Sequence, residues 1–157
     1  MGMNIDDFEG IKAKGEEFYK SIKEVYCPYF QEKVIFNAKG LEHLKFSKKN
    51  HARVSGDQYI RFKLLHLAPK VISLSKTIQG VSHRKGFEWM RTNARNEFIL
   101  KNVSYYEFIA ILENVRVRIV IKKVEDSQKY FWSIIPHWKV DKENHKRKMF
   151  NGNPEND

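Results

Sequence analysis

The chain has 157 residues and a formal net charge of +10, from 29 lysines and arginines against 19 acidic residues, and 41% of it is apolar. That suffices for one domain with a buried core, and there is no run of the roughly 18 apolar residues that a membrane-spanning helix needs. A single cysteine excludes an internal disulfide and a thiolate zinc site, while the positive charge favours polyanionic partners.

The opening stretch MGMNIDDFEGIKAKGEEF lacks the basic-then-apolar order of a secretory signal, so a cytoplasmic protein is expected. No long basic helix with a strongly apolar face is evident, which places a membrane surface last among the polyanions. Ile5, Phe8, Ile11, Phe18, Ile22 and Val25 recur at helical spacing and predict a helix over 5–25. Asp6 and Asp7 suit its positive end, and Pro28 stops it. Cys27, among aromatics in VYCPYF, reads as a small buried hydrophobe.

KVIF (33–36) reads as a strand and Asn37-Ala38-Lys39-Gly40 as a turn. LEHLKF (41–46) then makes one or two helical turns, with Leu41 and Leu44 inward. The basic stretch 47–58 reads as a loop. A helix is expected over 57–67, with Asp57 as its N-cap, and Pro69 suits the first turn of a short helix through Leu74.

Beyond residue 75 the pattern changes to strands. TIQGV and GFEWMRTN suggest a hairpin turning through 82–86, followed by a strand over 103–112. VRVRIVIKKV (115–124) alternates. Val115, Val117, Ile119 and Ile121 share one face, and Arg116, Arg118 and Lys122 fall largely on the other, solvent-facing one. KYFWSIIP (129–136) is the last strand, antiparallel to the one before. Strict alternation puts Ser133 beside Phe131 and Ile135. The basic tail, 139–157, reads as flexible or as a partner-binding arm. The expected fold is therefore α+β, a single domain over 1–138 with N-terminal helices packed on a four- to five-stranded antiparallel sheet.

The common catalytic motifs fail: there is no P-loop, dinucleotide turn, HExxH or G-x-S-x-G. The acids are scattered among lysines, which disfavours a metal-dependent nuclease. Basic and hydroxyl chemistry remains, and RNA cleavage can run on it without a metal. The 2′-OH attacks the adjacent phosphate, a side chain moves the proton, and cations stabilise the charge that develops. Two places gather such groups. One is His43 in its helical turn, flanked by Lys39 and Lys45. The other is Ser133, a hydroxyl inside an apolar strand, which either satisfies a backbone group or water or holds a ligand.

Three stretches, VIFNAKGLEHLKF, LLHLAPKVISLSKTIQG and QKYFWSIIPHW, spread over about residues 33–138, resemble the barnase–EndoU–colicin–RelE (BECR) group of metal-independent RNases, closest to its phage- and mobile-element-associated branches. The resemblance implies a site built from an early histidine, basic residues, and a serine or threonine on the last strand. By position these are His43, Arg53 or Arg61, and Ser133. On that reading His43 takes or donates the proton, Arg53 with Lys39 or Lys45 neutralises the phosphate, Ser133 holds a non-bridging oxygen, and Arg61 is a reserve cation. Arg116 and Arg118 would face the RNA backbone, and Tyr106 or Trp138 would stack a base. No cofactor and no metal is expected. The implied function is RNA endonuclease, of the kind found as toxins of toxin–antitoxin or phage-related systems. Its expected partners are messenger, transfer or ribosome-associated RNA and an acidic antitoxin protein. The alternative is a non-catalytic nucleic-acid-binding or protein-interaction module of the same fold.

Overall fold

The structure, a computed structural model, describes residues 5–48, 50–137 and 153–157. Helix α1 spans Ile5–Ile22, three residues shorter than its periodicity predicts. Lys23 adopts a left-handed φ of 61°, and the chain passes directly into β1 (Glu24–Cys27), which pairs antiparallel with β2 (Glu32–Ile35). Val25 is thus a strand residue opposite Val34. The carbonyl of Lys23 accepts the Phe36 N–H at 2.8 Å, so pairing with distant chain overrides the local helical spacing.

Asn37 proves to be a helix cap. Its side-chain oxygen accepts the Gly40 N–H at 3.1 Å and starts α2 (Ala38–Lys45). The stretch expected as a loop contains a small ribbon of β3 (Phe46–Lys48) and β4 (His51–Ala52). Helix α3 (Ser55–Leu64) begins early enough that Asp57 lies inside its first turn instead of capping it. A 3-10 turn (Leu65–Leu67) leads into α4 (Ala68–Leu74), with proline at its start as expected.

The strands are longer than their sequence signals. β5 (Gly80–Thr92) runs straight through 82–86, and the reversal into β6 (Arg95–Leu112) falls at Asn93 and Ala94, whose φ values are 48° and 65°. β7 (Val115–Val124) and β8 (Tyr130–Pro136) follow. The sheet has six strands, in the order β1-β2-β8-β7-β6-β5, because the β1–β2 hairpin joins one edge. β2 meets β8 in parallel at Ile35 and Tyr130, and the other neighbours are antiparallel. Among the described residues no helix is long and apolar enough to cross a membrane.

One face of the sheet carries the main core. Tyr19, Leu44, Phe62 and Ile72 from the helices pack with Phe108, Ile119, Ile121, Phe131 and Ile134 from the strands, and Cys27 is buried among them. The other face carries a smaller buried cluster including Tyr105, Val120, Val124, Tyr130 and Trp132. A β-bulge decides which β8 side chains reach it. Val120 pairs with Ser133 but Ile121 pairs with Phe131, so Trp132 is the extra residue. Ser133 therefore shares its face with Val120 and its cluster, and Phe131 joins the opposite core with Ile134, which corrects the strict alternation expected for this strand.

Helix α2 packs closely on β8. A Cβ added at Gly40 would stand 2.3 Å from the Phe131 main-chain oxygen and 2.4 Å from the Tyr19 hydroxyl. Gly40→Ala gains about 1 kcal/mol of helix propensity but forces apart two elements that cannot yield cheaply, a cost of about 1–3 kcal/mol or more. Net destabilisation is the expected outcome, read as a lower urea midpoint with an unchanged slope; a midpoint at or above wild type contradicts the close contact.

Candidate functional site

α2, α3 and the second half of β8 converge on the face that carries Trp132 and Ser133. Arg61, reaching from α3, is 1% exposed, which demands partners for its charge. Its Nε donates to Asp57 and its Nη1 donates to the Ser133 hydroxyl at 2.6 Å. Ser133 in turn donates to the main-chain oxygen of Asp157 at 2.6 Å. Arg61 Nη1 donates to that same oxygen. A hydroxyl can accept from a guanidinium and donate to an acceptor at once, which alanine or valine at this position cannot do.

Arg53 is organised around His43. Its Nε donates to the His43 carbonyl at 2.9 Å and its Nη2 lies 3.0 Å from His43 Nε2. Burial, then the charge of Arg61, lowers Arg53 to about 10, with Asp57 opposing, so the guanidinium is still charged at neutral pH. It must donate; Nε2 therefore accepts, and the neutral ring carries its proton on Nδ1. The ring is also hydrogen-bonded to the main chain of Asp157. It stacks on Trp132 with centroids 3.9 Å apart.

Lys122 rests on the same indole, its Nζ 4.1 Å from the ring centroid, and is 1% exposed. Its ammonium pairs with Glu88 at 2.7 Å and Glu155 at 3.0 Å. Burial lowers Lys122 to about 8, with Glu88 opposing. Arg118, 2% exposed, pairs with Glu107 and lies 3.5 Å from an Asp157 carboxylate oxygen. The solvent-facing placement expected for Arg118 and Lys122 is thus corrected. Their face is covered, and Val120 and Val124, which alternate with them, were the sequence signal that it would be.

His43, Arg53, Arg61, Ser133 and Arg118 therefore meet as predicted candidates, joined by Trp132 and Lys122, which the sequence reading did not nominate. The remaining candidates lie at the pocket's rim, as Lys39 does, or elsewhere. Lys45 pairs with Glu16 of α1 at 3.1 Å. Lys39 is exposed on α2 and donates to the Trp89 carbonyl at 3.4 Å. Arg116 is exposed. Tyr106 sits on the opposite, helix-covered face against Phe30, with centroids 4.9 Å apart; its neighbour Tyr105 lies on the pocket face. Trp138 lies outside the described residues, as does most of the tail, 138–152.

The tail's last five residues pack into this pocket, with Asp157 fully buried. Trp132 Nε1 donates to the carbonyls of Pro154 and Glu155 at 3.0 and 3.2 Å, and Arg53 donates to the Asn156 carbonyl at 3.1 Å. Glu155 meets Lys122, Tyr105 and Arg84. Burial, then the Glu88 carboxylate, raises Glu155 to about 7.

No family model matches the chain, and no curated protein or solved structure is significantly similar to it. The chemistry of the pocket therefore rests on its own geometry. Its groups suit an anion or a strong acceptor: an arginine and a hydroxyl meet at one oxygen, with a neutral imidazole bonded beside it.

Burial, followed by the charges of Arg53, Arg61 and Lys122, holds His43 well below the ordinary imidazole value, while the Asp157 main chain opposes them. Below about pH 6.5 the unfolded chain takes up a proton there that the folded chain refuses. The stability that neutral His43 contributes is complete above that pH and declines as pH falls, at up to about 1.4 kcal/mol per pH unit. His43→Gln keeps an acceptor for Arg53 and cannot titrate. Urea unfolding of the two proteins between pH 7 and 5 is expected to show wild type losing ground to the variant. His137, also lowered, titrates in both and cancels. Parallel curves contradict a buried neutral ring.

Proposed function

We propose that this protein is a metal-independent RNA endonuclease, with its centre at His43, Arg61, Ser133 and Lys122. The observation that carries the reading is the convergence of Arg61 and Ser133 on one buried oxygen, with the His43 ring bonded to the main chain of the same residue. That oxygen marks where a non-bridging phosphate oxygen would lie. Arg61 and Ser133 would bind it, and Arg53 would hold the imidazole in the tautomer that presents an N–H. With Nε2 committed to Arg53, His43 would act as a hydrogen-bond donor to the phosphate, and Lys122, on the same indole and lowered to about 8, would exchange protons near neutral pH. Trp132 contacts both side chains. The resemblance to the BECR group points to the same reaction, and a role as a toxin held by an acidic antitoxin is part of this proposal.

The test is cleavage of total RNA by the purified chain in excess EDTA. Cleavage that survives EDTA and stops in Ser133→Ala and His43→Ala supports the proposal, whereas cleavage abolished by EDTA overturns the metal-independent mechanism. One observation favours a second reading, a non-catalytic module that binds acidic peptide: the occupant of the pocket is itself a peptide bearing two carboxylates. Tight binding of RNA or acidic peptide, with no cleavage in any condition including ribosomes, decides for that reading.

A further inference from the structure

The residues around the pocket do not balance their own charge. Arg53, Arg61, Arg118 and Lys122 are all nine-tenths or more buried. The folded body sets Asp57, Glu88 and Glu107 beside them. Glu155 and Asp157 bring two further carboxylates, onto Lys122 and Arg118. Buried cations without matching anions are costly, so this pocket holds an anion in its stable form.

The segment also occupies the pocket in a particular way. Its main-chain oxygens at 154, 155, 156 and 157 all accept hydrogen bonds from pocket side chains. It thus presents a row of acceptor oxygens with acidic groups alongside, the pattern of a nucleic-acid backbone laid in the same groove. The contacts to Trp132, Arg53, Arg61 and Ser133 consume the groups that the proposed reaction needs.

We infer that residues 153–157 are an intramolecular competitor for the RNA backbone, a strap that occupies the His43–Arg61–Ser133 pocket and must leave before a phosphodiester can enter. The inference rests on the RNA-cleaving reading for the identity of the displaced ligand, but the strap's occupancy stands on its own contacts. An enzyme held this way is latent in the free state. RNA with several phosphates in reach, or a partner that captures the acidic segment, releases it. Affinity for RNA is reduced by the fraction of molecules in which the strap is seated.

The full chain carrying Glu155→Gln and Asp157→Asn tests this. The probe is a fluorescein-labelled 2′-O-methyl RNA oligonucleotide, which has no free 2′-OH and cannot be cut. Removing two negative charges strengthens RNA binding anywhere on a basic protein, so Glu9→Gln with Glu17→Gln, exposed on α1, is the charge-matched control. The strap variant is expected to bind the probe at least about tenfold more tightly than the control pair, as a strap seated in nine molecules of ten requires. A five-residue peptide, Asn-Pro-Glu-Asn-Asp, added in trans is expected to displace the probe from the strap variant. Equal affinity of the two variants, with no competition by peptide, overturns the strap. Binding of labelled peptide to the strap variant with no RNA binding by any protein leaves the strap standing and overturns the RNA reading instead. A thermal melt of each variant checks that it is folded; should the strap pair fail to fold, Glu155→Gln alone carries the same comparison against Glu17→Gln.

Discussion

Arg61→Ala is expected to destabilise the fold by about 3–5 kcal/mol, the usual result of removing one partner from a buried ion pair. That is a large share of a net stability of about 5–15 kcal/mol. The substitution leaves a cavity beside Ser133, removes the main partner of Asp57, and takes one of the donors from the Asp157 oxygen. Arg53, 3.5 Å from Asp57, compensates only in part. Arg61→Lys keeps the charge but cannot reproduce a planar fork reaching Asp57 and Ser133 together, so it is expected to fall between the two. Arg116→Ala, an exposed side chain near the start of β7, is the comparison and is expected to stay within about 0.5 kcal/mol of wild type. Urea unfolding of the four proteins decides the matter; an Arg61→Ala midpoint matching that of Arg116→Ala contradicts a central place for Arg61.

The second large effect concerns the reaction. His43→Ala is expected to lower RNA cleavage in EDTA by about a hundredfold or more, the scale of losing a positioned proton-transfer group or phosphate donor. His43→Gln separates those two roles. A glutamine amide can accept from Arg53 with its oxygen and donate to a phosphate with its nitrogen, but it cannot take up a proton. If His43 acts as a donor, the glutamine variant recovers about tenfold over alanine, or about 1.4 kcal/mol of transition-state stabilisation. If it acts as the base, glutamine is as inactive as alanine, and the assignment of proton exchange to Lys122 is wrong. The pH profile supplies the matching readout: a limb near pH 8 belongs to Lys122 and is expected to persist in His43→Gln.

Much of the architecture was legible in the residues. The alternation of VRVRIVIKKV marks β7, the proline at position 69 marks the start of α4, and the run of helices followed by strands gives the α+β class. Ser133 was legible for a related reason: it is a hydroxyl set among residues that read as core, and such a group must find a partner. His43 stood out as an imidazole between two lysines in a helical turn, whereas Arg53 and Arg61 were candidates only through the resemblance. Other features gave no local signal. Lys23 ends α1 because β1 and β2 pair, and the turn at Asn93 and Ala94 is set by a register that extends far beyond the apolar runs.

What the sequence by itself determined, then, is which faces are apolar and which polar side chains are out of place, because periods of two and near 3.6 are written into neighbouring residues. Only the tertiary structure decided the sheet's sixth strand, the bulge that sets Trp132 and Ser133 on one face, the burial of Lys122, and the seating of Asp157 against Arg61, 96 residues away in the chain. These depend on what lies across the sheet, and the energy of a buried charge or an unpaired donor is settled by whichever distant segment arrives to meet it.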